Sequence, residues 1–206
     1  MVEWDWGAIA TLGGASVAYF ALASQRALMR KGNTLQQIAS METDRDYLQA
    51  RARYAKLERH ELKIMDLVAR KVSLEQREAA EAERQRDQAE DKGHADRAKA
   101  LADERAELVA DAMAVTTTLN AFEMIAVGIR HGVYDYATWR IWAKTSTIAT
   151  WQNSKPYIMH FRTTDVRYSR LFVELEALAD WLDEDSHENK RKKPPMYVRW
   201  VNWLPL

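Results

Sequence analysis

The feature that most limits how this chain can fold is a long apolar stripe that begins at Leu101. From Leu108 onward, apolar residues follow one another at alternating intervals of four and three residues. They are Leu108, Ala112, Val115, Leu119, Phe122, Ala126 and Ile129. That spacing places the side chains on one face of an α-helix. We predict a long core helix that ends near Gly132, because glycine commonly lies just beyond a helix C-terminus.

The composition predicts an all-α protein. The 206 residues include only 7 Gly and 4 Pro, and the chain is rich in the strong helix formers Ala, Leu, Glu, Gln and Arg. Lys plus Arg and Asp plus Glu both number 30, and this balance argues against a general nucleic-acid-binding protein. The chain has no cysteine, which excludes disulfides, thiol catalysis and thiolate metal sites.

The segment Trp6–Gln25 contains no charged residue and predicts an N-terminal transmembrane helix. A helix of about 20 residues spans roughly 30 Å, the thickness of the hydrocarbon core of a bilayer. Trp4 and Trp6 stand at one end, where amphipathic rings prefer the interface. Acidic residues precede the segment and basic residues follow it, which predicts a single-pass protein of the bacterial inner membrane with its N-terminus outside. The alternative is a buried helix of a soluble protein.

Small residues recur every four positions on this first helix, at Ala10, Gly14 and Ala18. Such spacing lets two helices approach closely in lipid and predicts a homo-oligomer. An Ala-rich helix also produces this spacing by chance, so the alternative stays open.

Changes in composition divide the chain into four parts. These are a transmembrane helix with its flanks (1–31), a long and partly polar helical region (32–112), a helical bundle core (113–185), and a basic loop with a Trp-rich tail (186–206). Gly32 and Asn33 predict a break after the first helix. The tail is expected either to rest on an anionic inner leaflet or to pack onto the body.

Two local patterns predict helix starts in the second part. Thr34 with Gln37, and Ser73 with Gln76, have the spacing of a capping box. Between residues 77 and 99 the only apolar side chains are alanines, which predicts solvated helices that are bent near 91–94 and project as a hairpin.

The bundle core carries three further helix signals. Asp135 can cap the helix that bears Trp139, and Pro156 suits the first turn of another helix. The final amphipathic helix is marked by Leu171, Leu175, Leu178 and Leu182.

A family resemblance begins where the apolar stripe ends. The block Leu119-Asn120-x-Phe122-Glu123-x-Ile125-Ala126-x-Gly128-Ile129-x-x-Gly132-x-Tyr134-Asp135 is similar to the signature of a bacterial and phage family catalogued as a domain of unknown function. Trp142 and Lys155-Pro156-Tyr157-Ile158 follow in matching order. The resemblance covers about 120–182 and implies one N-terminal membrane helix followed by a long polar helical region.

In layout alone, the chain is also similar to the small membrane accessory protein of type VI-B CRISPR systems. That similarity implies an oligomeric pore or a membrane-perturbing role in defence against phage.

Glu123 lies among apolar neighbours in the family block, and a buried ionised carboxylate needs a partner. Asn120 and Arg130 share its helix, and Arg162, Arg167 or Arg170 could reach it from later helices. We predict that Asn120, Glu123, Arg130 and Asp135 form a structural polar cluster that fixes how helices dock. The alternative is a general acid or base, or a polar gate.

Arg53 and His60 provide the one enzymatic alternative, because they fit the Arg-x(4–6)-His spacing of helical ribonucleases. Tyr54 stands where those enzymes usually carry a polar residue. The histidines lack zinc-site spacing, and no phosphate-binding loop is present. We therefore predict no catalytic, cofactor-binding or metal-binding residues.

Together these signals predict a membrane-anchored, oligomeric helical protein that is not an enzyme. It would act as a pore-forming or membrane-perturbing accessory protein or effector in antiphage defence, with the lipid bilayer and copies of itself as partners. Two alternatives stay open: a membrane-tethered helical scaffold that binds a protein partner, and a degenerate helical ribonuclease.

Overall fold

The computed structural model describes residues 6–59, 64–87 and 94–183, and for residues 6–17, 59, 85–87 and 94 it describes the backbone alone. This part of the chain is helical and contains no strand, which confirms the all-α prediction. The α-helices are α1 (Trp6–Thr43), α2 (Arg45–Arg59), α3 (Asp66–Asp87), α4 (His94–Arg130), α5 (Tyr136–Thr164) and α6 (Val173–Leu182). A single 3-10 turn, Val166–Tyr168, joins α5 to α6.

The helix α1 continues through Gly32 and Asn33, so the predicted break at these residues is wrong. A helical glycine costs about 1 kcal/mol. Packing outweighs that cost, because Thr34, Ile38 and Met41 are buried on the face that meets the body. The 38 residues of α1 form a rod about 57 Å long.

The helix α1 ends at Thr43, and Asp44 separates it from α2. The Asp44 carboxylate accepts hydrogen bonds from the backbone N–H groups of Asp46 (2.9 Å) and Tyr47 (3.0 Å). An aspartate at this position satisfies N–H groups that have no partner within the new helix. Asp44 therefore caps α2 and turns the chain back along the body.

The helix α4 is the centre of the core, as the apolar stripe predicts. Its buried side chains include Leu108, Val115, Leu119, Phe122, Ala126 and Ile129. The helix α2 packs along it and contributes Tyr54 and Leu57 to the same core, which α5 and α6 complete.

The polar half of α4 pairs with α3 in an antiparallel arrangement, which agrees with the predicted hairpin of helices. Residues 88–93, which include most of the predicted bend at 91–94, lie outside the described residues. Ion pairs join the two helices at Arg77–Glu104 (2.6 Å), Arg105–Glu78 (3.3 Å) and Arg97–Glu81 (3.0 Å). The predicted capping box at Ser73 and Gln76 is wrong, because both residues lie inside α3. The helix begins earlier because the core holds its start through Ile64 and Leu67.

The helix α5 contains Pro156 in its interior, so the predicted helix start at this residue is wrong. Proline cannot bond the carbonyl four residues earlier. That carbonyl belongs to Gln152, and both residues lie on the exposed face, where water can satisfy it. On the opposite face Trp151, Ser154 and Ile158 are buried and hold the helix to the core.

The last described helix, α6, buries Leu175, Leu178 and Leu182 as the spacing predicts. Leu171 is partly buried and precedes the helix. The rings of Tyr136 and Trp181 stack with their centroids 3.9 Å apart and attach α6 to the start of α5. The basic loop and Trp-rich tail predicted for 186–206 lie outside the described residues.

Candidate functional site

The turn between α4 and α5 has the geometry that the family block predicts. Gly132 adopts a φ of 68° just beyond the end of α4. The Val133 N–H donates to the Gly128 carbonyl (2.8 Å), and the Gly132 N–H donates to the Ile129 carbonyl (3.1 Å). These two bonds define a Schellman motif, in which glycine tolerates the left-handed residue. The predicted helix end near Gly132 is confirmed.

Gly128 makes room for an aromatic ring inside this turn. A Cβ atom at Gly128 would lie only 2.1 Å from Cδ2 of Tyr134, so the ring occupies the space that any side chain would need. The Tyr134 hydroxyl donates to Oε1 of Gln37 on α1 (3.3 Å). Gly128 therefore allows Tyr134 to reach the first helix.

Asp135 caps α5, as predicted, and also meets α1. Its carboxylate accepts from the N–H (2.8 Å) and the hydroxyl (2.6 Å) of Thr138. Its own N–H donates to the hydroxyl oxygen of Thr34 at 2.7 Å. We call the set Thr34, Gln37, Gly128, Tyr134 and Asp135 the α1 junction.

Thr34 does not cap a helix, so its predicted capping box with Gln37 is wrong. The Thr34 side chain is fully buried in the middle of α1. Its hydroxyl donates to the Arg30 carbonyl (2.8 Å) while it accepts from Asp135. The hydroxyl therefore has a partner both as a donor and as an acceptor, and it bonds α1 directly to the turn that ends α4.

Glu123 caps α6 from a different helix. Its carboxylate accepts from the Leu175 N–H (2.6 Å) and from the Glu174 N–H (3.3 Å). The residue at the N-cap of α6 is Phe172, which has a φ of 56° and makes no side-chain capping bond. An external carboxylate can replace a local cap, because it accepts the free N–H groups and favours the positive end of the helix.

Two opposing effects act on the Glu123 carboxyl. Burial raises its pKa above the ordinary value, whereas the hydrogen bond from Leu175 and the positive charge of Arg162 lower it. Arg162 itself pairs with Glu176 (2.6 Å), and Arg167 pairs with Asp165 (2.6 Å). The carboxylate is therefore satisfied by a helix N-terminus, and not by a direct bond to an arginine from a later helix.

The predicted polar cluster divides into two attachments around the end of α4. Arg130 pairs with the carboxylate of Glu174, so Arg130 and Glu123 both hold the first turn of α6. Asp135 belongs to the α1 junction instead. Asn120 is exposed and joins neither attachment.

A buried polar network between α2 and α5 has no counterpart in the sequence predictions. The Tyr54 hydroxyl lies 2.9 Å from the Ser154 hydroxyl, and burial raises the pKa of Tyr54. Arg51 lies over the Tyr54 ring and donates to the Thr150 hydroxyl (3.2 Å). Thr147, Thr150 and Ser154 recur in steps of three and four on the inner face of α5, and this spacing was the available signal.

Arg53 of the ribonuclease alternative lies in an ion-pair network. Its Nε lies 2.6 Å from Oδ1 of Asp111, a buried residue whose Oδ2 lies 3.2 Å from Arg70. Its Nη2 also donates to the Glu107 carbonyl (3.1 Å). His60 lies outside the described residues.

An open groove of about 650 Å³ runs between α2 and α4 beside Arg53. Short side chains form much of its floor, among them Ala50, Ala52, Ala110 and Ala114. Across residues 6–59, 64–87 and 94–183, no three histidine or acidic side chains are grouped so as to hold a metal ion. The polar lining of the groove includes Asp46, Arg53 and Lys56.

The predicted membrane residues lie at the free end of α1. Trp4 lies outside the described residues; Trp6, Ala10 and Gly14 belong to the helix, but their side chains are not described; and Ala18 is exposed. Among the described residues, the segment Ala95–Arg130 of α4 is long enough to cross a bilayer and contains an 18-residue window with a mean hydropathy of 1.4. Half of that window is buried, and core helices of soluble proteins meet the same criterion. The membrane role of Trp6–Gln25 stays a prediction.

A family described as "Domain of unknown function (DUF4760)" matches residues 8–181 of the chain. The match confirms the resemblance to a family of unknown function and extends it well beyond residues 120–182. No curated protein and no solved structure matches the chain.

Proposed function

The chain belongs to the DUF4760 family, and we propose that it is a membrane-anchored helical protein in which α1 couples a bilayer segment rigidly to the helical body. In this proposal it is a single-pass protein of the bacterial inner membrane, with its N-terminus outside and its body in the cytoplasm. It acts as an accessory protein or effector and catalyses no reaction.

The observation that carries the proposal is the form of α1. It is one uninterrupted helix from Trp6 to Thr43, and it has no charged residue before Arg26. Tyr19, Phe20 and Leu22 are each more than half exposed. Exposed aromatic and aliphatic side chains on a projecting helix are costly in water and favourable in a bilayer or its interface.

The α1 junction supports the coupling. A displacement of the membrane segment would be transmitted along a continuous helix to Thr34, which is bonded to the turn between α4 and α5. The end of α4 also holds α6 through Glu123. The bilayer segment is therefore bonded to the centre of the body, without a flexible linker between them.

Membrane fractionation tests the anchor. We expect the wild type to sediment with membranes and to resist alkaline carbonate. The double substitution Phe20→Asp, Leu22→Asp should release it, because it places two acidic side chains within the predicted bilayer segment. Each costs about 2.5–3.5 kcal/mol at the centre of a membrane helix and less toward its ends. Ile141→Asp is the matched control, because Ile141 is 87% exposed on the body. Recovery of the wild type in the soluble fraction would refute the proposal.

The membrane-perturbing form of the role, and its place in antiphage defence, are supported by sequence alone. The small residues Ala10, Gly14 and Ala18 permit close helix packing in lipid, and the layout is similar to that of the CRISPR accessory protein. Expression should then dissipate the membrane potential, and the Phe20→Asp, Leu22→Asp variant should not. An unchanged potential with a membrane-bound wild type would leave the anchored scaffold as the function.

The scaffold alternative has its own structural support in the α3–α4 hairpin. Ion pairs stiffen two solvated helices into an arm whose outer surface is exposed. Glu81 within it is buried beside Arg97. Such an arm suits a protein partner. Charge reversal on its exposed surface should then abolish the antiphage activity, while the membrane fractionation and the membrane potential stay unchanged.

A further inference from the structure

The outward face of α1 carries a second regular pattern, which begins within the predicted bilayer segment and continues beyond it. Its positions alternate three- and four-residue steps, as in a coiled coil. All of them are exposed: Ala18, Ala21, Gln25, Leu28, Gly32, Leu35 and Ala39. We call this set the α1 seam. Glu42 occupies the next position and ends it.

The described parts of the chain leave the seam uncovered. The body lies against the opposite face of α1, where Thr34, Ile38 and Met41 are buried. Leu28 is 65% exposed and Leu35 is 58% exposed, and nothing lies within 4 Å of the place where a Cβ of Gly32 would be. A helix could therefore approach this face without displacing any described residue.

Lipid is a poor occupant for the lower half of this seam. Arg26, Arg30 and Lys31 lie close to the level of Leu28 along α1, and basic residues at such a density mark the end of a membrane segment. A bilayer would also favour apolar residues on every face of the helix, whereas beyond Met29 the exposed apolar side chains of α1 are Leu35 and Ala39, and both lie on the seam. The seam therefore has the geometry of a helix–helix contact.

The charge pattern favours an identical helix as the occupant. None of the three basic residues between Ala18 and Ala39 lies on the seam, so two copies in register would place no like charges opposite each other. Leu28 and Leu35 would each meet their own counterpart. Gly32 would allow close approach, and Gln25 could bond its counterpart and fix the register.

We propose that the α1 seam is a homotypic interface, in which a second copy of this chain packs its own α1 in parallel along Ala18–Ala39. The seam positions Ala18, Ala21 and Gln25 lie within the predicted bilayer segment and continue any contact of Ala10 and Gly14 there, whereas Leu28, Gly32, Leu35 and Ala39 lie beyond it. The parallel orientation rests on the proposed membrane anchor, which would hold both helices with their N-termini in the same direction. The seam itself does not require a bilayer.

Cysteine cross-linking of the full chain in mild detergent tests this interface directly, because the protein has no native cysteine. Single substitutions at the seam are Leu28→Cys, Gly32→Cys and Leu35→Cys. The matched controls are Arg26→Cys and Met29→Cys, because both residues are exposed on α1 but lie off the seam, and Met29 is 59% exposed. A disulfide forms only where two Cα atoms approach to about 4.4–6.8 Å.

Under mild oxidation we expect about tenfold more covalent dimer from the seam variants than from the controls, because paired helices raise the effective thiol concentration. Equal yields at seam and control positions, or no dimer at any position, would overturn the interface. A seam covered by another segment of the same chain would give that second result.

A second variant keeps the test independent of disulfide chemistry. Leu28→Glu with Leu35→Glu places like charges across the seam and should reduce the mass measured by light scattering by one half or more. Leu48→Glu, at an exposed leucine of α2, should leave the mass unchanged. Equal masses for all three proteins would contradict the proposal.

The outcome separates the interface from the anchor. A chain that is recovered in the soluble fraction but cross-links with the predicted periodicity would refute the anchor and retain the interface. A membrane-bound chain without this periodicity would refute the interface alone.

Discussion

The hydroxyl oxygen of Thr34 accepts a hydrogen bond of 2.7 Å from the backbone N–H of Asp135, which lies 101 residues farther along the chain. Thr34→Val removes this acceptor while keeping the shape of the side chain, and it leaves a buried donor without a partner. We expect a loss of about 1–3 kcal/mol in the free energy of unfolding. Thermal unfolding followed by circular dichroism measures the loss.

Thr43→Val is the control for that substitution. Thr43 is exposed near the end of the same helix, and its hydroxyl bonds the Ala39 carbonyl at 2.9 Å. Removal of this hydroxyl should change the unfolding free energy by less than about 0.5 kcal/mol. Equal losses from the two variants would show that the Thr34–Asp135 bond does not stabilise the fold.

Glu123→Ala should loosen α6 more than any other helix. It removes the carboxylate that accepts from Glu174 and Leu175, and Phe172 provides no side-chain cap in its place. The expected cost is about 1–2 kcal/mol, similar to the loss of a helix cap. Hydrogen exchange of residues 173–182 should accelerate relative to α2. Glu107→Ala, at an exposed glutamate of the same helix, should leave exchange in α6 unchanged.

The titration of Glu123 gives a prediction of opposite sign to that for an ordinary surface carboxylate. Burial raises its pKa in the folded protein above the ordinary value of 4.5, so the folded state binds the proton more tightly than the unfolded state. Stability from this group is therefore complete below pH 4.5 and is lost as the pH rises through the folded pKa.

The comparison with Glu123→Gln isolates that effect, because the other carboxylates titrate in both proteins. We expect the wild type to gain stability relative to the Gln variant as the pH falls from 7 towards 4.5, with unfolding measured by urea at each pH. A difference that stays constant across this range, or that shrinks at low pH, would contradict a raised pKa for Glu123.

Features with a local cause were predictable from the sequence. The buried stripe of α4, the glycine-terminated turn at Gly132 and the cap at Asp135 each depend on residues within a few positions of one another. Spacing and backbone preference determine such features directly. The leucines of α6 belong to the same class.

Features with a distant partner were not predictable in this way. Thr34 and Gln37 have the spacing of a capping box, but their partners Asp135 and Tyr134 come from the far side of the family block. Pro156 has the features of a helix start. It is tolerated inside α5 because the Gln152 carbonyl, which it cannot bond, lies on the exposed face. In both cases tertiary packing overrides a local preference of about 1–3 kcal/mol.

Two glycines of this chain should respond in opposite ways to alanine. At Gly128 the new Cβ would lie 2.1 Å from the Tyr134 ring, so Gly128→Ala must displace the ring and weaken its contact with Gln37, at a cost of about 1–3 kcal/mol. At Gly32 nothing lies within 4 Å of the new Cβ, and the residue is helical, so Gly32→Ala should stabilise the protein by about 0.5–1 kcal/mol. Melting temperatures of both variants provide the measurement.

Removing the ring of Tyr134 should relieve the clash, so Gly128→Ala should cost far less in a Tyr134→Ala background. Equal effects of Gly128→Ala in both backgrounds would show that Tyr134 does not occupy this space. Gly32→Ala is measured in the Leu28→Glu, Leu35→Glu background, in which the proposed seam is open. Destabilisation there would show that α1 is not a continuous helix at this residue.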